Sequence, residues 1–222
     1  SDLIRGEISF DTTELGDLVI AKSLDEPLYH FAVVVDDWKM GITHVIRGED
    51  HISNTPRQIL IQEALGAPRP IYAHIPLILA PDRSKLSKRH LPDGKAGGAV
   101  SVTEYREQGY LPDALTNYLA LLGWNPGTDQ EILSREELIK LFSLEKIQRG
   151  GAIFNLEKLN WLNREYLRLA PESIWTDCFT GDWTPHDRSV LIPLLRERVS
   201  TLGEAKTLIA SGEYDYFRVI PT

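Results

Sequence analysis

The sequence predicts an α/β unit followed by an all-α remainder. Three observations carry that prediction. Early segments rich in Val and Ile have strand length, one strongly capped helix separates two of them, and beyond Gly98 the apolar residues recur at helical spacing.

Taken in order, Asp17 to Lys22 (DLVIAK) and Leu28 to Val35 (LYHFAVVV) are read as strands, the first behind Gly16 and the second behind Pro27. The second barely alternates, so it is expected to be buried on both faces. Ile42 to Arg47 (ITHVIR) is a further short strand. Thr55-Pro56-Arg57-Gln58 then offers an N-cap threonine, proline at the first helical position and a capping-box glutamine. Ile59, Leu60, Ile61, Ala64 and Leu65 continue that helix, and Gly66 can close it in a left-handed conformation. Ile75 to Leu79 is read as the next strand despite Pro76. Strand, helix and strand in this order make a βαβ unit with a parallel pair.

Past Gly98, Leu111-Pro112-Asp113 opens a helix carrying Ala114, Leu115, Tyr118, Leu119 and Leu122, ended by Gly123. Ser134 caps another, with Glu137 in the capping-box place. Leu156 to Leu169 supplies a third, stopped by Pro171. Toward Thr222, Pro185, Pro193 and Gly203 are expected to fall between short helical segments. Trp124, Trp161 and Trp175 are read as core residues, as are Cys178 and Tyr29, the latter at the start of its strand.

Composition narrows the functional classes. The 222 residues are 42% hydrophobic and 25% charged, enough to bury one large core or two smaller ones. No stretch has the length of a membrane span and no signal-peptide pattern opens the chain, so a soluble, unexported protein is expected. A single cysteine excludes an internal disulfide and a Cys-rich zinc site. His44, His51, His74 and His90 match no zinc spacing either. A net charge of -8 argues against a general nucleic-acid coat but allows a local basic patch. Residue 1 is Ser and the single methionine is Met40, so a fragment is expected rather than an intact translation product.

Two charged motifs stand out. Residues 81 to 90, PDRSKLSKRH, gather four fixed positive charges and a histidine. Flexible lysines of this kind suit polyphosphate oxygens in a loop closing over a nucleotide. Arg47-Gly48-Glu49-Asp50 offers a planar guanidinium fork for a carboxylate, and a carboxylate that can accept from ribose or amine groups. Ligands of open α/β sheets sit beyond the carboxyl ends of the strands. On this strand reading both motifs lie at such ends, and they are expected to meet on one edge.

The succession LYHFAVVVDDWKMGITHVIRGEDHISNTPRQILIQEALG, HIPLIL and SKLSKRH resembles the second half of the catalytic domain of bacterial-type glutamyl-tRNA synthetases, which are class I aminoacyl-tRNA synthetases. EYREQGYLPDALTNYLALLGW and FNLEKLNWLNREYL extend the likeness over nearly all of the chain. The resemblance implies half of a Rossmann-like fold followed by all-α stem-contact and anticodon-binding helices. It divides the chain into residues 1–30 (the end of an acceptor-binding insertion), 31–82 (catalytic half), 83–169 (lysine loop and stem-contact domain) and 170–222 (start of the anticodon-binding domain).

The resemblance also assigns roles. Lys85, Leu86, Ser87, Lys88 and Arg89 occupy the five places of the K-M-S-K-S signature, so Lys85 and Lys88 are expected to bind ATP phosphates, with Lys88 stabilising the leaving pyrophosphate. Asp50 and His51 match positions near the adenosine, and Leu77 and Ile78 positions beside the adenine. Arg47 matches a position that binds a glutamate carboxylate, and Tyr29 one that lines the amino-acid pocket. Val33 stands where some members carry asparagine. The implied partners are L-glutamate, ATP with Mg²⁺, and tRNA for glutamate, with the glutamine isoacceptor left open. No protein-bound zinc is implied, and the implied protein is a monomer of the cytoplasm or an organelle. An H-I-G-H-like motif and a further glutamate-holding arginine do not occur in these residues, so the chain alone is not expected to make adenylate. The stretch LPDGKAGGAVSV is longer than many members have after the lysine loop, which implies a looser connection. Glutaminyl-tRNA synthetase, glutamyl-queuosine tRNA synthetase and a non-catalytic tRNA-binding module stay open as alternatives. The helical extension past Leu169 counts against the queuosine enzyme, which lacks an anticodon domain.

Overall fold

In the computed structural model, which describes residues 1–86 and 101–217, the chain falls into two compact units. The first comprises residues 1–78 with two short returns of chain, 123–125 and 143–152. The second holds the other described residues.

The first unit begins with a hairpin of β1 (Ala21–Ser23) and β2 (Glu26–Pro27), so the strand expected over 17–22 is confined to its end. The segment expected as a buried strand, Leu28 to Val35, is instead helix α1 (Tyr29–Lys39), entered from an extended Leu28. A continuous apolar run carries no period that separates strand from helix. Each valine costs only tenths of a kcal/mol in a helix, whereas burying Val34 contributes about 2 kcal/mol. Packing of α1 on α2 (Thr55–Leu65) therefore decides the matter.

Strand β3 (His44–Gly48) pairs in parallel with β4 (Ile71–Ile75), and α2 lies between them in the chain. The expected βαβ unit is present, but its second strand ends at Pro76 instead of beginning there. Proline cannot donate to the ladder. Leu77 follows the strand, and the basic segment follows a separate two-residue strand, β5 (Ile78–Leu79), not the parallel pair. Register sets His44 beside Ile71 and Arg47 beside His74.

Gly66 closes α2 as expected, at φ 64°. The capping box expected of Thr55 does not form. A 3-10 turn over Glu49–Asn54 runs straight into α2, so Thr55 is already helical and its hydroxyl is used elsewhere. Around Ala73, Val34, Ile61 and Tyr72 the interior is unusually polar, with Asp2, Thr55, Gln58, Gln62 and His74 all buried.

The second unit is helical. It contains α3 (Val102–Glu107), α4 (Pro112–Leu121), α5 (Arg135–Leu141), the strand β6 (Ala152–Ile153) at its border, α6 (Leu156–Leu169), α7 (Pro185–Arg198) and α8 (Leu202–Ala210). Pro112 starts α4, and Ser134 with Glu137 forms the expected box on α5. Asn155 caps α6 by accepting from Lys158 N–H. Pro185 and Gly203 lie within the first turns of α7 and α8, and Pro193 lies inside α7. These residues do not separate helices, because the box of Thr184 and Asp187 and the Thr201 cap fix the starts around them. One core gathers Tyr105, Tyr110, Tyr118, Phe154, Leu159 and Leu162. The other is built on Leu167, Trp175, Cys178, Trp183, Leu191 and Leu195. Trp124 and Trp175 are buried as expected, but Trp161 is exposed, because Leu159 and Leu162 carry the inward face of α6.

Candidate functional site

The site is built where β3 and β4 end. Arg47, last but one in β3, is not a loose surface charge. Its Nε donates to His74 Nε2 at 3.1 Å, its Nη2 donates to Thr55 Oγ1 at 2.9 Å and lies 3.5 Å from the His51 carbonyl. Its guanidinium carbon stands 5.4 Å from the centre of the Tyr72 ring. Thr55 Oγ1 in turn donates to the His51 carbonyl at 3.2 Å. The hydroxyl lost to capping thus ties β3 to the start of α2.

His74 is joined on its other side to Asp2. The imidazole Nδ1 lies 2.6 Å from Asp2 Oδ2, and the same carboxylate accepts from the N–H groups of Ile4, Arg5 and His74. Burial pushes the Asp2 carboxyl up, but those hydrogen bonds together outweigh it and hold the group below the usual carboxylate range. Asp2 is therefore ionised near neutrality and His74 Nδ1 carries the proton. Because Arg47 Nε can only donate, His74 Nε2 must accept, and the network assigns a neutral Nδ1–H imidazole.

Arg5 repeats the pattern one turn on. It donates to the carbonyls of His74 (3.2 Å) and Arg149 (2.7 Å) and pairs with Glu49 at 2.6 Å. Glu49 Oε1 accepts from Leu77 N–H at 3.0 Å. The opening residues Asp2 to Arg5 thus hold the carboxyl ends of both strands.

Around Arg47 the structure brings several expected residues together. Tyr29, expected in a core strand, stands half-exposed in the first turn of α1. Its hydroxyl is 3.5 Å from His51 Nδ1, which accepts from Asn54 at 3.1 Å. Val33 lies one helical turn further along α1, half-buried. Asp50 turns its carboxylate back over Gly48, where a Cβ would come within 2.5 Å of Oδ1, so a side chain at 48 would push that carboxylate out of its place. His30 is held below the ordinary imidazole range by burial, then by the charges of Arg57 and Arg47, and stays neutral. Leu77 is half-buried and Ile78 exposed, just past β4.

Lys85 and Leu86 belong to the second unit. A tight turn precedes them, in which Asp82 accepts from Ser84 N–H (2.9 Å) and Oγ–H (2.6 Å) and Arg83 has φ 65°. Lys85 is exposed and bridges to Leu79, and Leu86 packs against the core of Tyr105 and Tyr118. Ser87, Lys88, Arg89 and the stretch LPDGKAGGAV lie outside the described residues.

Asp2, Arg5, Thr55 and His74 were missed as site residues by sequence reasoning, and Glu49 was read only as part of the charged motif at the end of β3. His74 was weighed there only as a metal ligand, and no local signal couples residue 2 to residue 74. Among the described residues no three His, Cys, Asp or Glu side chains form a metal-binding group, and no helix is long and apolar enough to cross a membrane.

Residues 1–161 match the family described as tRNA synthetases class I (E and Q), catalytic domain. A glutamate–tRNA ligase of Carboxydothermus hydrogenoformans is 59% identical over 168 residues, covering 76% of this chain and 34% of that protein. Glutamate–tRNA ligase 1 of Acidithiobacillus ferrooxidans is 56% identical over 212 residues, covering 95% and 40%. The solved glutamate tRNA ligase of Elizabethkingia meningosepticum, in complex with its amino acid, superposes with a TM-score of 0.80 at 37% identity, covering 93% of this chain and 45% of that one. The chain thus spans between about a third and a half of the length of these relatives.

Proposed function

The chain belongs to the class I tRNA synthetases for glutamate and glutamine, with their Rossmann-like catalytic fold, and from that premise we propose that the protein carrying it is a glutamate–tRNA ligase. It activates L-glutamate with ATP, supplied as the magnesium complex, and transfers the glutamyl group to the 3′ end of tRNA in the cytoplasm or an organelle. A glutamate α-carboxylate oxygen attacks the α-phosphorus of ATP, and the bond to the bridging oxygen breaks to release pyrophosphate. A hydroxyl of the terminal ribose of tRNA then attacks the carbonyl of the mixed anhydride, and AMP leaves. Positioning and electrostatic stabilisation suffice for both steps, so no nucleophile triad is required.

The observation that carries this reading is the anchored guanidinium of Arg47 at the end of β3, with Tyr29 and His51 beside it. In this reading Arg47 takes a glutamate carboxylate, and Tyr29 and Val33 line the pocket. Asp50 and His51 stand near the adenosine, and Leu77 and Ile78 flank the adenine. Lys85 and Lys88, with Leu86, Ser87 and Arg89, hold the phosphates, and Lys88 stabilises pyrophosphate as it leaves. The same reading assigns residues 1–30, 31–82, 83–169 and 170–222 to the insertion, catalytic, stem-contact and anticodon-binding parts.

The test is ATP–pyrophosphate exchange by the gene product that carries this chain, with glutamate and tRNA present. Glutamate-dependent exchange is expected, and Lys88→Ala should slow it at least about tenfold, because a contact to the leaving charge is lost. A Lys88→Ala rate within about twofold of wild type would remove the role given to Lys88. Exchange driven by glutamine instead, or by neither amino acid, would overturn the reading.

A further inference from the structure

We infer that Asp2 and His74 are positioning residues that aim Arg47 at the glutamate carboxylate, a role that rests on the reading of Arg47 given above. Arg47 and His74 are register partners on the parallel pair, so their side chains leave the sheet on one face, side by side. His74 and Asp2 are almost wholly buried, 1% and 6% exposed. Their chain of contacts runs to the guanidinium, Asp2 Oδ2 to His74 Nδ1 at 2.6 Å and His74 Nε2 to Arg47 Nε at 3.1 Å, and the Thr55 hydroxyl that also holds Arg47 lies 3.3 Å from the same Nε2.

The arrangement divides the guanidinium. Its Nε and Nη2 are held by His74 and Thr55, while Nη1 has no hydrogen bond among the described residues. One edge fixes the plane and the other is left to a ligand. The choice of a neutral imidazole as the acceptor matters. A carboxylate in direct contact with Arg47 would cancel the charge that attracts an anionic substrate. An imidazole supplies the lone pair without a charge, and the Asp2 carboxylate that fixes its tautomer stays one ring further away.

Asp2→Asn separates this role from simple packing. Asparagine keeps the volume and can still accept from the Ile4 and Arg5 N–H groups, but it turns an amide N–H toward His74 Nδ1. The imidazole then carries its proton on Nε2, donor against donor with Arg47 Nε. In ATP–pyrophosphate exchange by the gene product, KM for glutamate should rise at least about tenfold while KM for ATP stays within about twofold. His74→Leu should do the same. His74→Gln, whose Oε1 can replace the Nε2 acceptor, should stay within about threefold of wild type.

Because KM does not depend on how much enzyme is active, partial misfolding lowers kcat alone and leaves the comparison intact. If Asp2→Asn is insoluble, the pair of variants at position 74 decides. A glutamate KM within about twofold of wild type in Asp2→Asn or His74→Leu, or equal values for Gln and Leu at position 74, would overturn the positioning role. Absence of glutamate-dependent exchange in the wild type would instead overturn the function proposed above, so the two failures are distinct.

Discussion

Gly109, between α3 and α4, touches the start of α8 backbone to backbone. Leu202 N–H donates to the Gly109 carbonyl at 3.1 Å, and Gly203 N–H to the Gln108 carbonyl at 3.2 Å. A Cβ on Gly109 would lie 2.5 Å from Gly203 N and 2.9 Å from Leu202 Cβ, and the residue has φ +82°. Gly109→Ala therefore carries three costs. The left-handed backbone costs about 1 kcal/mol. Displacing a packed backbone that has no flexible end to give way costs about 1–3 kcal/mol. Weakening the two crossing hydrogen bonds costs about 1 kcal/mol each. The sum is about 4–6 kcal/mol, a large share of a typical domain's stability of about 5–15 kcal/mol. Gly181→Ala is the control, because Gly181 has φ +89° but nothing within 4 Å of its Cβ position, so only the backbone cost of about 1 kcal/mol applies. Equilibrium urea unfolding followed by the fluorescence of Trp175 and Trp183, both in the core beside α8, reads the difference. Losses for the two variants within about 1 kcal/mol of each other would show that the close approach of these backbones contributes nothing, and the steric reasoning would fail.

Three further outcomes follow from the same geometry. Thr55→Val removes the hydroxyl shared by Arg47 and the His51 carbonyl, and should lower stability by about 1–3 kcal/mol in urea unfolding, against a null effect if water replaces it. Burial raises the phenols of Tyr110, Tyr118 and Tyr166 to about 12, so unfolded tyrosines lose their protons first. Stability should fall between about pH 10 and 12, with the rise in tyrosinate absorbance tracking loss of the helical circular dichroism signal. Burial likewise raises the Cys178 thiol, which should react with a thiol reagent at least about a hundredfold slower in the native chain than in urea.

The elements that were legible in the sequence are those whose signals are adjacent in the chain. α6 runs over Leu156–Leu169 and α5 starts at the box of Ser134 and Glu137, because caps and apolar spacing act within a turn or two. Gly66 closes α2 for the same reason. α1 was not legible, since LYHFAVVV fits a buried strand as well as a helix until α2 is there to cover Val34. Within the site, Arg47 is legible from its charged motif, whereas the sequence context of Tyr29 reads as a core strand and only the family resemblance points to a pocket role. The state of Arg47 is not legible, because its partners come from residues 2, 55 and 74.

By itself, then, the sequence determined the charged motifs, the βαβ order and the helical remainder, all of which rest on neighbours in the chain. Only the tertiary structure decided that α1 is a helix, that Thr55 serves the site instead of a cap, and that Asp2 and His74 stand behind Arg47. The reason is physical. A cap or a turn is completed by groups a few residues apart, whereas a buried polar group takes whatever partner the packed sheet brings beside it, here through the register that sets Arg47 against His74.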